Sequence, residues 1–210
     1  MNDIQIKFYK AIKNNDINNV KLLLNDKRVE PSDIAGSSIQ LASEKGHVDI
    51  VKLFLKDNSF NSFDYNFSIE LASKNGHVDI VKLLLKDKTF NPSDYNSSIE
   101  LASESGHFDV VKLLLNDKRI NPANNNNYAI QLASLNGYID IVKLLLKDER
   151  VNPSDIASLT IQLASEHGFS DIVYILWQDI RVKNTLEIDN KKLYNDLVKK
   201  DKIKYKAESF

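Results

Sequence analysis

His47, His77 and His107 stand thirty residues apart, and each is followed two residues later by an aspartate, Asp49, Asp79 and Asp109. Asp140 and Asp171 continue the aspartate column. Imidazoles and carboxylates are the groups that bind metals and move protons. The spacing argues against both. Neighbouring copies of such a segment would pack about 8–10 Å apart, and two imidazoles cannot then share one ion at about 2 Å each. Tyr138 and Phe169 take the histidine's place in later copies. A lysine three residues after each of the first four aspartates marks a solvated helix face with local ion pairs. Acid–base catalysis needs carboxylates in a cleft that shifts their pKa, and no Ser–His–Asp order, phosphate-cradling loop or dinucleotide fingerprint appears. We therefore assign no catalytic, metal-binding or cofactor-binding residue, and expect neither an enzyme nor a small-molecule substrate. His167, one residue before a glycine, is expected to be exposed at a helix end.

The element that carries these residues is Ser68-Ile-Glu-Leu-Ala-Ser-Lys-Asn-Gly-His-Val-Asp-Ile-Val-Lys-Leu-Leu-Leu-Lys-Asp87. Its copies align on Gly46, Gly76, Gly106, Gly137 and Gly168, with a worn copy over 9–26 in which Asn15 replaces the glycine. Fixed self-similarity at this period means a stacked array. From Val78 to Lys86 the polar residues Asp79, Lys82 and Lys86 form one stripe, and the other residues are apolar. A helix that is apolar on all but one stripe must be covered on several sides, which a neighbouring copy can do. The first half, Ile69 to Asn75, predicts a shorter helix. Ala72 and its equivalents Ala42, Ala102, Ala133 and Ala164 lie where two helices approach closely. Glycine just past a helix end makes the left-handed turn between the two. Ser37-x-x-Gln40 and Ser97-x-x-Glu100 predict capping boxes, and Asn91-Pro-Ser-Asp-Tyr-Asn96 has turn composition. The unit reads as helix, tight turn, helix, loop.

This Leu-Ala-Ser-x-x-Gly-His-x-Asp-Ile-Val-Lys-Leu-Leu-Leu run resembles the ankyrin repeat, over roughly residues 8 to 180. The resemblance implies an all-α solenoid of helix-turn-helix units, with five full repeats between N- and C-terminal capping repeats. The expected divisions are a cap over 1–30, repeats over 31–60, 61–90, 91–121, 122–151 and 152–182, a capping helix over 183–200 and a basic tail over 201–210. Two features depart from the family. The helix openings read Ser37-Ser-Ile-Gln40, Phe67-Ser-Ile-Glu70, Ser97-Ser-Ile-Glu100, Tyr128-Ala-Ile-Gln131 and Leu159-Thr-Ile-Gln162. The period also falls two or three residues short of the family's thirty-three, the missing residues coming from the finger between repeats.

The chain of 210 residues carries a net charge of −1, which argues against general nucleic-acid binding. It has no cysteine, so no disulfide and no thiolate metal site. The N-terminus lacks the apolar run of a signal peptide and no stretch is apolar enough to span a bilayer, so an intracellular, cytoplasmic protein without membrane contact is expected. Lys outnumbers Arg twenty-four to four, and the fingers are rich in Asn. With the shortened period, this composition resembles the ankyrin-repeat proteins of giant amoebal viruses.

At the C-terminal end, Tyr174 and Trp177 replace a lysine and a leucine of the other copies. The leading expectation is that one amphipathic helix, containing Leu186, Ile188, Leu193, Tyr194, Leu197 and Val198, covers both. The alternative is an exposed aromatic patch for self-association in a structural or virion-associated component. Lys199, Lys200, Lys202, Lys204 and Lys206 make a short basic end, read as frayed and solvated, with a nucleic-acid or acidic-partner contact as the alternative.

The resemblance implies that a partner binds a concave surface formed by the fingers and first helices, where copies differ while the core does not. The candidate partner-binding residues are Asp64, Tyr65, Asp94, Tyr95, Asn126, Tyr128, Leu135 and His167. Tyr65 and Tyr95 are expected to be exposed anchors, because Tyr is enriched where binding energy concentrates; Phe67 is expected to pack on its own repeat. The function so read is a non-catalytic protein-binding module, with a host protein as partner if the viral resemblance holds.

Overall fold

The computed structural model describes residues 3–26, 28–29, 38–56, 60–87, 91 and 97–207, with the side chains of Asp155 and of residues 202–207 excepted. Among the described residues every regular element is a helix. The chain forms two compact units, Met1–Ile120 and Asn121–Phe210.

Among its described residues the first unit contains four helix pairs: α1 (Asp3–Lys13) with α2 (Ile17–Leu24), α3 (Ser38–Glu44) with α4 (Val48–Phe54), α5 (Ser62–Lys74) with α6 (Val78–Lys86), and α7 (Ser98–Glu104) with α8 (Phe108–Leu115). First helices pack in the order α1, α3, α5, α7, and second helices in the order α2, α4, α6, α8. The second unit continues with α9 (Asn124–Leu135) and α10 (Ile139–Leu146), then a 3-10 turn (Pro153–Ile156). After it come α11 (Ala157–Glu166), α12 (Ser170–Gln178), α13 (Ile180–Asp189) and α14 (Lys191–Ala207). There α9 packs on α11, α10 on α12 and α11 on α13.

The core follows the repeat. Ala42, Ala72, Ala102, Ala133 and Ala164 have no exposed surface, and neither do Ile80, Val81 and Leu84 or their equivalents Val110, Val111 and Leu114. Each large aliphatic side chain buried this way stabilises by roughly 1.5–3 kcal/mol. The outer face of α1 is polar, as a terminal repeat requires, with Lys7, Lys10 and Lys13 exposed.

Successive pairs are joined through the histidines. His77 Nε2 lies 2.9 Å from the Glu44 carbonyl, His107 Nε2 2.9 Å from that of Lys74, and His47 Nε2 3.4 Å from that of Lys13. Each acceptor lies at or next to the end of the preceding first helix, where carbonyls lack an intrahelical donor. The ring rests on the preceding glycine. A Cβ on Gly76 would meet His107 Nδ1 at 2.6 Å, and one on Gly46 would meet His77 Cε1 at 2.7 Å. Gly76 also sits at φ +74°, so a side chain there is opposed both by the backbone and by the neighbouring ring. In the worn first copy Asn15 adopts φ +56°, the conformation that asparagine tolerates best after glycine. In the second unit Phe169 covers Gly137 in the same way without a hydrogen bond, its ring 2.7 Å from where a Cβ would stand.

A second link lies in the turns after the second helices. Asp117 accepts hydrogen bonds from the backbone and side chain of Arg119, whose guanidinium also donates to the Leu85 carbonyl at 2.6 Å. Arg181 repeats the device, bound to Asp179 and donating to the Val151 carbonyl at 2.7 Å. Asp26–Arg28 and Asp148–Arg150 pair identically. The Arg28 side chain holds the Asp26 carboxyl down at about 2, and Arg119 and Arg150 hold Asp117 and Asp148 below the usual range. At Asp179 burial pushes upward, but the hydrogen bonds from Arg181 outweigh it.

Several expectations change. Ser97 places no side-chain hydrogen bond at the start of α7; its backbone N–H instead donates to Glu70 Oε1 at 2.9 Å. Ser37 lies outside the described residues. The capping box forms instead at Asn61 and Asp64, because α5 begins seven residues before Ile69 and absorbs the preceding finger. The C-terminal cap is two helices, not one. Asn190, at φ −143° and ψ 68°, breaks the chain between α13 and α14, and Ile188 is 81% exposed where a covered position was expected. The basic end is helical through Ala207.

The hydroxyls of Ser43, Ser73, Ser103 and Ser134 are buried without a hydrogen-bond partner. Because an orphaned buried hydroxyl costs about 1–3 kcal/mol, Ser103→Ala should raise the urea midpoint. Gly76→Ala should destabilise by more than the ~1–2 kcal/mol of a left-handed alanine. His107→Ala should recover the excess, read as coupling in a double-mutant cycle. Carboxylates held low by their arginines stabilise the fold above their unfolded pKa of about 3.9 and lose that contribution as pH falls through the folded value. The urea midpoint should therefore drop as pH falls below about 4, and less steeply in Asp117→Asn/Asp148→Asn/Asp179→Asn.

Candidate functional site

Helix periodicity decides what the fingers present. Because α5 starts at Ser62, Tyr65 falls on the same face as Ile69 and Ala72 and is only 2% exposed. The expectation of an exposed Tyr65 anchor is overturned. Asp64 is likewise buried: it closes the capping box with Asn61 and lies 3.5 Å from the Gln40 amide. The opposite face carries Phe63 and Phe67, 62% and 43% exposed, with ring centroids 4.7 Å apart. Phe67 packs on Phe63 and faces outward, contrary to expectation. Phe63 was missed; its signal is the i,i+4 aromatic pair that appears once the helix is extended back to Asn61. Glu70, one turn on, is half-buried, and burial raises its carboxyl despite the hydrogen bond from Ser97. Asp94 and Tyr95 lie outside the described residues.

In the second unit the finger is built differently. Asn125, Asn126 and Asn127 have φ of 50°, 57° and 60°, three left-handed residues in succession at the head of α9. Asparagine is the residue whose short amide makes such a turn affordable. Buried Asn127 accepts the Asn152 N–H at 2.8 Å, and the Gln131 amide donates to the Asn126 carbonyl at 2.9 Å. Asn126 is exposed, and Tyr128, which opens the right-handed part of the helix, is 44% exposed. Leu159, at the equivalent position of α11, is 54% exposed. Leu135 is half-buried. His167 is exposed at the end of α11, with Nδ1 2.8 Å from the Leu163 carbonyl and its ring stacked 6.1 Å from Phe169. The structure thus brings Asn126 and Tyr128 together on one finger, with Leu159 on the next.

A groove of about 550 Å³ runs along these fingers, from Asn126 and Gln131 past Ser154, Ser158 and Leu159 to Thr185 and Asp189. The C-terminal aromatics behave differently. Trp177 is 4% exposed, T-stacked on Tyr194 at 5.4 Å, and donates its indole N–H to Asp201 at 3.2 Å. Tyr174 remains 40% exposed beside a cavity of about 200 Å³ lined by Trp177 and Leu197. Among the described residues no group of three or more His, Asp or Glu side chains could hold a metal ion, and no helix is long and apolar enough to cross a membrane.

A family model for ankyrin repeats (three copies) matches the chain three times, over residues 8–99, 69–155 and 99–187. The chain belongs to the ankyrin-repeat family. Its fold is that family's solenoid, similar to the crystal structure of EF0377, an ankyrin repeat protein, with a TM-score of 0.65. That similarity covers 82% of this chain and 96% of the other at 24% identity. No curated protein matches the chain. Ankyrin repeats are generally protein–protein interaction modules and non-catalytic scaffolds.

The two tyrosines give opposite predictions. Tyr65→Ala removes a buried aromatic and should cost about 3–5 kcal/mol in chemical denaturation. Tyr128→Ala, at an exposed helix opening, should stay within about 0.5 kcal/mol of wild type.

Proposed function

We propose that this ankyrin-repeat chain is a non-catalytic protein-binding module whose partner docks on the fingers and first-helix openings of the second unit. One observation carries the reading. The residues opening α9 and α11, Tyr128 and Leu159, are large, apolar and exposed, while Ala133 and Ala164 farther along the same helices have no exposed surface. The exposed members differ between repeats, and the buried members do not. Exposed aromatic and aliphatic side chains on a rigid frame bind at low entropic cost. Asn126, Leu135 and His167 lie on the same helices or their fingers and extend the candidate surface.

Self-association through the C-terminal end finds less support, since Trp177 is buried and the exposed described residues of α14 are Lys191, Lys192, Asn195, Asp196, Lys199 and Lys200. A host protein is the partner this reading favours if the chain comes from a giant amoebal virus.

Affinity capture from a lysate of the host cell should retain one specific protein on the wild type. The Tyr128→Ala/Leu159→Ala variant, folded by circular dichroism, should lose it. Retention by both would overturn the assignment of the surface.

A further inference from the structure

The groove lined by Asn126 and Leu159 has a composition that selects among protein partners. Its polar lining is nearly all neutral: the amides of Asn126 and Gln131 and the hydroxyls of Ser154, Ser158 and Thr185. Several of these groups are held in place. Gln131 donates to the Asn126 carbonyl at 2.9 Å, the Ser158 hydroxyl accepts from Asn190 at 2.8 Å, and the left-handed asparagine turn is tied to Asn152 through Asn127. Strained backbone of this kind persists only where its surroundings over-determine it, and it concentrates at binding sites. Among the described lining residues one charge stands out, Asp189, exposed at the end of α13. Its neighbour Glu187 is paired with Lys191 at 3.1 Å, whereas no described cation lies within ion-pair distance of Asp189.

We infer that the groove takes an extended peptide segment of the partner, with an apolar side chain against Leu159 and an adjacent Lys or Arg facing Asp189. This rests on the reading of the finger surface given above. An extended backbone presents one N–H and one C=O per residue, each needing a partner. Neutral amides and hydroxyls supply these without the cost of burying a charge. A volume of about 550 Å³ lies within the roughly 300–1,000 Å³ typical of binding clefts. The single carboxylate sets the sign of the neighbouring residue, and a like charge there would be repelled.

The test is selection of short random peptides displayed on phage against the full chain, followed by anisotropy titration of the selected peptides. They should carry an apolar residue next to Lys or Arg. Asp189→Lys should weaken them about tenfold or more, by the like-charge rule, and replacing the peptide's basic residue with Glu should restore binding to that variant. Lysine suits a helix C-terminus, so the variant should fold. Selection of no peptide would overturn the proposal. Peptides that ignore Asp189→Lys but are lost in Tyr128→Ala/Leu159→Ala would overturn only the basic specificity. Peptides indifferent to both variants would overturn the finger surface as well.

Discussion

A side chain from one repeat lying on the bare backbone of the repeat before it is the constraint on which the rest of this structure depends. His77 can reach the Glu44 carbonyl only because Gly46 has no Cβ, and His107 reaches that of Lys74 only over Gly76. The glycine therefore does two things at once. It lets the chain turn left-handed between helices, and it leaves room for the neighbouring ring. Where His gives way to Phe169, the ring still covers Gly137 but no nitrogen is left to satisfy a carbonyl. The packing is thus conserved while the hydrogen bond is dispensable. Arg119 and Arg181 add a tie on the second-helix side, donating to carbonyls thirty or more residues back along the chain.

Such a frame leaves the residues ahead of the first helix under little local constraint. In α5 they coil into the helix, bury Tyr65 and turn Phe63 and Phe67 outward. In α9 they form a left-handed asparagine turn, and before α11 they form a 3-10 turn opening with Pro153. Before α14 they form a helix of their own, α13, ended by Asn190. Four solutions to one position in the repeat give different surfaces on similar cores. That is how a repeat scaffold separates stability from recognition.

This division also explains what was legible in the sequence. The hinge glycines, the alanine column and the apolar second helices are set by contacts between similar copies, so their spacing alone located them. The structural role of the histidines was likewise legible, because metal coordination was geometrically excluded. The fate of Tyr65 was not. It turns on whether a helix starts at residue 62 or near residue 69; Phe67 stands where the neighbouring copies carry Ser37 and Ser97, and the Asn61–Asp64 box sets the earlier start. Ile188 and the C-terminal cap were misjudged for a related reason, since the break at Asn190 carries no glycine or proline. The Asp-x-Arg pairs were not singled out in the sequence, because the reach of Arg119 and Arg181 to the preceding repeat exists only in three dimensions.

If recognition is confined to the finger surface, the stacked core serves only to hold it. Hydrogen exchange of the full chain, with and without the captured partner, tests this most directly. The partner should add protection over 124–131, 154–162 and 185–190 and leave the amides of α10 and α12 unchanged. Protection that instead falls on α10, α12 or the outer face of α14 would contradict it.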